Sequence, residues 1–379
     1  MRRKLAVAAV GSIIVVVLSF FSVWSAYSGS DTPQREFYVG VEFAYEDEPS
    51  KVAALVDKIK NYTNLIVLGS IGLTFNETAL TQACNYIYDA KLNFIVLFTG
   101  LDKYNYNTSR WIFDAQSRYG KQFLGIDRYD EPGGNQLDNS VYQLINSTSL
   151  PNPTYASVAE AYVGNLSYFP AYYLQFAPAV MTADYGLYWF DYQANYTTIF
   201  GEFVGNESRQ RHIALCRGAA NTFDKDFGII ITWKYSQAPY LEEGEELYND
   251  LALAYSAGAK YVVLFSYPNI TDYGTLTEEH FTTLQRFWND LHNNPDQLDS
   301  NLPQVAYIVP AYYGFGFRHP TDTTWGIFPA DTLAPKIFND IQTLTNQYNA
   351  QFNILYDGPQ TANLLKNYAQ VYYWNQTIP

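Results

Sequence analysis

Cysteine and histidine are scarce in this chain of 379 residues, which contains two cysteines and four histidines. These numbers exclude a disulfide scaffold and a Cys₄ zinc site, so we expect neither a metal nor a cofactor. Basic residues are also few. The chain has 23 Lys and Arg but 37 Asp and Glu, which gives a formal charge of −14. A chain without a basic stripe is not expected to bind nucleic acid. A hydrophobic content of 48% excludes intrinsic disorder.

The first thirty residues have the composition of an export segment. Residues 2–4 are Arg-Arg-Lys, residues 5–24 are uncharged, and residues 25–30 are rich in Ser and Gly. The uncharged run is closer to the ~20 residues that span a bilayer than to the ~7–15 of a cleaved signal peptide. We therefore expect a membrane anchor that leaves the rest of the chain outside the cell. Cleavage near residues 26–29, which would give a secreted protein, is the alternative.

Asn-x-Ser/Thr sequons agree with export. Composition alone gives about three such acceptors, and the chain has nine. We expect N-linked glycosylation at these positions, which are Asn61, Asn76, Asn107, Asn146, Asn165, Asn195, Asn206, Asn269 and Asn375.

From residue 37 onward, short β-branched or aromatic runs alternate with helical patterns, which predicts βα units and a parallel sheet. Eight strands are predicted, at 37–45, 65–70, 94–100, 123–129, 187–193, 197–204, 228–235 and 260–267. Helices are predicted between them, at 48–61, 76–91, 109–121, 154–176, 207–223, 241–257 and 277–293. Eight units in a stretch of this length favour an α/β fold of the (β/α)₈ TIM-barrel type over 36–296. An open doubly wound sheet is the alternative.

The remainder of the chain predicts a second, smaller α/β unit. An Asn/Asp/Pro-rich linker at 293–303 precedes a βαβαβ pattern, which has strands at 305–310, 352–356 and 370–374 and helices at 332–348 and 360–367. This pattern is typical of a flavodoxin-like domain, here 304–379, that is abbreviated or truncated.

Acidic residues follow several predicted strands, and in a TIM barrel the carboxyl ends of the strands carry the functional groups. Glu131 comes after the fourth strand and before Pro-Gly-Gly, a turn that fixes the direction of its carboxyl, and it is the preferred general acid. Glycoside hydrolysis needs a second carboxylate, which Glu202 or Asp191 could supply, with Asp130 tuning the pair. Glu202 lies in an apolar run, so it either faces a cleft or forms an ion pair with Lys234 or Arg217.

Aromatic residues at the predicted strand ends could form the platform on which sugar rings stack. The candidate substrate-binding residues are Trp189, Tyr192, Trp233, Lys234, Tyr235 and Tyr267. His212 and Cys216 lie one helical turn apart, but a buried helix explains this spacing better than a nucleophilic pair.

Asp130-Glu131-Pro132 resembles the Asn-Glu-Pro motif of (β/α)₈ glycoside hydrolases, in which the acid/base Glu follows strand four. The layout is similar to that of β-galactosidases whose barrel is followed by a flavodoxin-like trimerisation domain. The runs LYWFDYQANY, ALCRGAA and ITWKY also resemble a group of archaeal surface proteins of unassigned function. The resemblance implies hydrolysis of glycosidic bonds.

One departure from the glycoside hydrolase pattern concerns the nucleophile. The family carries a nucleophilic Glu at the end of strand seven, where this chain has Trp233-Lys234. The adjacent Asp130-Glu131 also resembles the pair of hexosaminidases, in which the substrate acetamide is the nucleophile. The expected function is therefore an exported glycoside hydrolase acting on an extracellular poly- or oligosaccharide, by carboxylate or substrate-assisted chemistry. A non-catalytic glycan-binding or cell-envelope barrel is the alternative.

Overall fold

A computed structural model describes residues 35–100, 103–295, 298 and 302–379. The expected export segment lies outside these residues. Within the described part of the chain, no helix is both long and apolar enough to cross a membrane. Residues Phe37–Pro379 form one compact unit, and the separation into domains at residues 296–304 stays a prediction.

Eight parallel strands close into a barrel in sequence order. They are β1 Tyr38–Phe43, β2 Leu65–Leu68, β3 Asn93–Phe98, β4 Phe123–Arg128, β5 Val180–Asp184, β6 Thr198–Phe203, β7 Asp226–Ile231 and β8 Tyr261–Phe265. The first and last strands pair from Tyr38 opposite Tyr261 to Glu42 opposite Phe265, which closes the sheet. The predicted TIM barrel is confirmed, and the open doubly wound sheet is wrong.

Helices connect the strands around the outside of the barrel. Their bounds are α1 Pro49–Ile59, α2 Ile71–Thr74, α3 Glu77–Asp89, α4 Thr108–Tyr119, α5 Pro132–Leu137, α6 Tyr155–Leu166, α7 Tyr168–Tyr173, α8 Tyr188–Gln193, α9 Arg209–Phe223, α10 Gly244–Ser256 and α11 Glu278–Asn293. Several begin at a side chain that accepts a hydrogen bond from a free backbone N–H of the first turn, namely Asn76, Asn107, Thr154 and Ser208. The sequence thus defines where these helices start.

The fifth strand is the main error of the sequence-based assignment. Residues 187–193, predicted as a strand, form helix α8, and the true β5 lies just before it at Val180–Asp184. The aromatic run favours a strand by propensity, but its side chains are buried on all sides of a short helix, which periodicity cannot distinguish from a buried strand. Tertiary packing therefore overrides local preference here.

A β-bulge in β4 sets the direction of its side chains. The pairing of β4 with β3 shifts register between Phe94 and Ile95, beside Gly125, which has a φ of 146°. Leu124 packs against the cluster that fills the barrel, whereas Ile126 packs in the outer core. Strict alternation from Leu124 would turn Asp127 outward, so the bulge is what brings its carboxyl inside the barrel.

The C-terminal residues form a small parallel sheet with strand order β10-β9-β11. Its elements are β9 Val305–Val309, α12 Ala334–Tyr348, β10 Phe352–Tyr356, α13 Pro359–Ala362 and β11 Gln370–Tyr373. The predicted βαβαβ order is confirmed, although the helix predicted at 360–367 shortens to α13 and one turn of 3₁₀ helix at Leu365–Asn367.

Arg217 fixes the small sheet to the barrel. This fully buried side chain on α9 donates to Asn353 Oδ1 at 2.8 Å and to the carbonyl oxygens of Ala350 at 2.6 Å and Phe352 at 2.9 Å. Arg217 also donates to Ala257 O at 3.1 Å on the barrel side. Arg217 therefore joins the small sheet to the barrel through hydrogen bonds, and it does not form the predicted ion pair with Glu202.

Candidate active site

A cavity of about 270 Å³ opens at the carboxyl ends of the barrel strands. Its charged walls are carboxyl groups from β1, from β4 with its following turn, and from β6. The acidic lining residues are Glu42, Asp127, Asp130, Glu131 and Glu202. The structure thus brings together three of the four predicted catalytic residues, with two further carboxyls.

The turn after β4 is built to hold Glu131 in one place. Glu131 has a φ of 50°, an uncommon conformation for a residue with a side chain, and its N–H donates to Ala183 O at 3.0 Å. The Asp184 carboxylate accepts from the N–H groups of Gly133 at 2.5 Å and Gly134 at 2.8 Å. A side chain at either glycine would collide with residues 184–187, so Pro-Gly-Gly is required by this close approach.

Glu131 and Glu202 line the same cavity, and their carboxyls lie close enough for each to shift the pKa of the other. Two ionised carboxylates at such close range repel each other, which favours a state in which the pair holds one proton. Burial, followed by the charges of Asp130 and Asp184, raises the pKa of Glu131 to about 8, although its interaction with Glu202 opposes the rise. Burial, followed by the charge of Glu131, raises the pKa of Glu202 well above its usual range. Glu202, which is only 5% exposed, therefore retains the proton when Glu131 ionises.

The other three carboxyls line the same cavity as Glu131 and Glu202. Burial, followed by the charge of Asp130, raises the pKa of Glu42 to about 8. Burial also raises the pKa of Asp127 well above its usual range, with contributions from Asp130 and Glu42. Asp130 lies at the rim of the cavity, and part of the residue is exposed. Its carboxyl faces the cleft, and desolvation there raises the pKa of this group to about 6. In the part of the chain that the structure describes, no salt bridge neutralises any of these groups.

Aromatic residues form one wall of the cavity. Trp233 and Tyr267 line it together with Phe265. The rings of Trp233 and Tyr267 are stacked at 6.2 Å with 20° between their planes, and Trp233 Nε1 donates to Tyr267 O at 2.5 Å. Tyr267 is 46% exposed, so its ring borders solvent at the entrance. These are two of the predicted substrate-binding residues.

The other predicted binding residues lie elsewhere. Lys234 forms an ion pair with Glu246 and does not line the cavity, and Tyr235 is exposed outside it. Trp189 packs its ring on Tyr356 of the small sheet at 5.1 Å. Tyr192 donates its hydroxyl to Asp226 O at 2.7 Å.

Asp191 is also away from the cavity, because its segment is helix α8 and no longer a strand end. It accepts a hydrogen bond from the Tyr162 hydroxyl at 2.7 Å and is fully buried. Burial, followed by the charge of Asp184, raises its pKa well above the usual range. Asp191 therefore lies near Asp184, the carboxylate that holds the Glu131 turn, and not in the cavity.

The described residues contain no group of three or more His, Cys, Asp or Glu side chains arranged to hold a metal ion. His212 Nδ1 contacts the Tyr188 hydroxyl at 2.7 Å, whereas Cys216 Sγ points to Ile199 O at 3.6 Å. Both side chains are buried. They do not contact each other, as expected for a structural helix.

Glu42, Asp127 and Asp184 belong to the site or its support but were not selected from the sequence. Glu42 and Asp127 sit at strand ends, the signal that identified Glu131, but without a following turn motif. Asp184 was missed because β5 itself was misplaced. Selection of every acidic residue at a strand end would have identified Glu42 and Asp127, and a correct position for β5 would have added Asp184.

Glu42→Gln is expected to stabilise the protein by about 4 kcal/mol at pH 8 and not at pH 4. The pKa of Glu42 is about 8 in the native state and 4.5 for an ordinary glutamate, so between these values the native state holds a proton that the unfolded chain has released. The free energy of unfolding therefore falls as pH rises across this window, and an amide at position 42 removes this fall. Urea unfolding of both proteins at pH 4 and pH 8 measures the difference, with exposed Glu160→Gln as the control. A gain of equal size at both pH values would contradict the burial effect.

No family model and no curated protein matches this chain. Among solved structures, α-L-fucosidase isoenzyme 2 from Paenibacillus thiaminolyticus matches with a TM-score of 0.51 and 10% identity, over 84% of this chain and 58% of that one. An endoglucanase matches with a TM-score of 0.41 and 11% identity, over 66% of this chain and 97% of that one.

A truncated 3-deoxy-D-arabino-heptulosonate 7-phosphate synthase from Thermotoga maritima matches with a TM-score of 0.38 and 9% identity, over 72% of this chain and 92% of that one. At such identities the likeness shows the fold alone. The chain spans little more than half of the fucosidase structure, 58% of its length. The protein is thus a (β/α)₈ TIM barrel with a small extra sheet, and its chemistry has to be argued from its own cavity.

Proposed function

We propose that this protein is a glycoside hydrolase that cleaves an extracellular poly- or oligosaccharide. The observation that carries the proposal is the pair of neighbouring carboxyls, Glu131 and Glu202, in a cavity with an aromatic wall. Hydrolysis of a glycosidic bond needs one protonated and one ionised carboxyl on the two sides of the anomeric carbon. The shared proton of this pair supplies both states.

The burial of the two groups supports a division of roles. Glu202 keeps the proton and is the general acid, and Glu131, nearer to solvent, is the carboxylate that attacks or assists the anomeric carbon. This reverses the sequence-based preference for Glu131 as the acid. Glu202 on β6 thus supplies the second carboxyl that the end of strand seven lacks.

Substrate-assisted hydrolysis with Asp130 and Glu131 is the alternative mechanism, because both residues line the cavity. It requires an N-acetyl group on the sugar that is cleaved, whereas the two-carboxylate mechanism does not. The requirement for the acetamide separates the two.

The proposal predicts release of reducing sugar or of an aryl group by the protein from at least one member of a panel of polysaccharides and nitrophenyl glycosides. The double variant Glu131→Gln, Glu202→Gln is the matched control, since it preserves side-chain size and removes the proton. We expect turnover only with the unchanged pair. Binding of a glycan by both proteins without turnover by either would instead establish the non-catalytic glycan-binding barrel.

We also propose that the protein is exported and glycosylated, either held at the outer face of the membrane through residues 5–24 or secreted. All nine sequon asparagines are exposed on the folded unit, where a transferase could reach them. Asn269 is one example at the cavity side of β8, with its amide donating to Glu46 Oε1 at 2.6 Å.

A further inference from the structure

The polar side chains that line the cavity are mostly acidic. Besides the five carboxyls, the described lining residues contribute as polar side-chain groups only the hydroxyls of Thr232 and Tyr267 and the indole N–H of Trp233, which is already bonded. Among the described lining residues there is no Lys, Arg, His, Asn or Gln. A ligand that fits such a lining brings donors, and preferably positive charge.

Asp127 gives a second, independent indication. Its side chain is only 9% exposed, and Oδ1 is buried without a hydrogen-bond partner in the structure. The bulge in β4 turns this carboxyl into the barrel, where it lines the cavity. A buried carboxyl oxygen without a hydrogen-bond partner is costly, and a bound group that donates to this oxygen removes the cost.

Building on the proposed function, we propose that the cavity selects sugars that carry a free, protonated amino group. The ammonium donates to Asp127 Oδ1 and to the neighbouring carboxylates, and the sugar ring lies against Trp233. An ammonium has three donors and no acceptor, and its positive charge lowers the pKa values of the neighbouring carboxyls, so they ionise and accept its hydrogen bonds. A hydroxyl or an acetamide brings no such charge. The stacked Trp233 and Tyr267 rings add an attraction for a cation.

The test is calorimetric titration of the protein with glucosamine, galactosamine and mannosamine, each compared with its N-acetyl form and its parent hexose. At least one amine should bind tenfold or more tightly than its two counterparts. Asp127→Asn should weaken binding of that amine tenfold while changing the parent hexose less than twofold. Asp357→Asn, an exposed change of the same charge outside the cavity, should alter neither.

Equal binding of an amine and its N-acetyl form would overturn the proposal, as would an equal loss of all ligands in Asp127→Asn. If circular dichroism shows that Asp127→Asn does not fold, Asp130→Asn at the rim replaces it, with the same expected loss. Hydrolysis of neutral glycosides without amine preference would overturn this inference and leave the hydrolase standing. Amine-selective binding without any hydrolysis would support the inference and remove the hydrolase.

Discussion

Glu202→Gln is expected to lower kcat about 10³-fold on glycosides whose leaving group is an alcohol or another sugar. Glu202 is the more buried member of its pair with Glu131 and so holds the proton that the departing oxygen takes up. A dinitrophenyl group departs without protonation, so the same variant should lose less than about tenfold on the dinitrophenyl glycoside. Initial rates for two leaving groups on one sugar measure the difference.

Glu131→Gln should behave in the opposite way, with a loss of about 10³-fold or more on both substrates. Truncation of the attacking side chain in Glu131→Ala leaves a space in which a small anion can act in its place. Azide should therefore restore turnover of the dinitrophenyl glycoside in Glu131→Ala and yield a glycosyl azide of inverted anomeric configuration. Glu202→Ala should not yield this inverted azide.

The exposed Glu160→Gln is the control for both variants and should keep full activity. If Glu202→Ala is the variant that yields the inverted glycosyl azide, and Glu131→Gln is the one that spares the dinitrophenyl substrate, the roles are reversed. Glu131 would then be the acid, as its position after strand four suggests by resemblance.

The barrel was predictable because its strands are short, buried runs separated by capped helices. Strands such as β2 and β8 consist almost wholly of buried aliphatic and aromatic residues, and the alternation of such runs with helices leaves few other folds. Glu131 was predictable for a local reason too, since Pro-Gly-Gly after a strand end specifies a tight turn.

The residues that were missed depend on pairing across the sheet. Leu187–Gln193 is as aromatic as a strand, and only its position between α6, α9 and the small sheet makes it a helix. The direction of Asp127 follows from a bulge beside Gly125, which is a property of the β3–β4 register. The contact between Glu131 and Glu202 likewise needs the closed barrel, which brings β4 and β6 to one opening.

Trp325→Ala is expected to lower the free energy of unfolding by about 3–5 kcal/mol. It should also lose activity at temperatures where the protein remains folded. Trp325 belongs to the loop between β9 and α12, yet its ring lies 4.6 Å from that of Phe190 on α8 and is fully buried. Its carbonyl oxygen accepts from Gln136 Nε2 at 2.8 Å. The loop of the small sheet therefore packs directly against α5, the helix that follows Glu131.

Gln136 forms further hydrogen bonds beside this contact. Its amide also donates to Ile145 O at 2.7 Å, and its Oε1 accepts from Ile145 N at 2.9 Å. Gln136→Met keeps the size of the side chain and removes all three bonds, and each unsatisfied buried partner costs about 1–3 kcal/mol. Together with Asp184 at the other end of α5, Trp325 and Gln136 act as positioning residues for Glu131.

The control for a general loss of stability is Ile341→Ala, which removes a buried side chain from α12 rather than from the loop that bonds to α5. Urea unfolding should show losses of about 2–5 kcal/mol for this variant too, the same range as for Trp325→Ala. Only Trp325→Ala and Gln136→Met should lower kcat tenfold or more at 20 °C, and the pH at which Glu131 ionises in the rate profile should shift. If Ile341→Ala lowers kcat as much, or if Trp325→Ala keeps both kcat and the pH profile of the unchanged protein, the small sheet has no part in positioning Glu131.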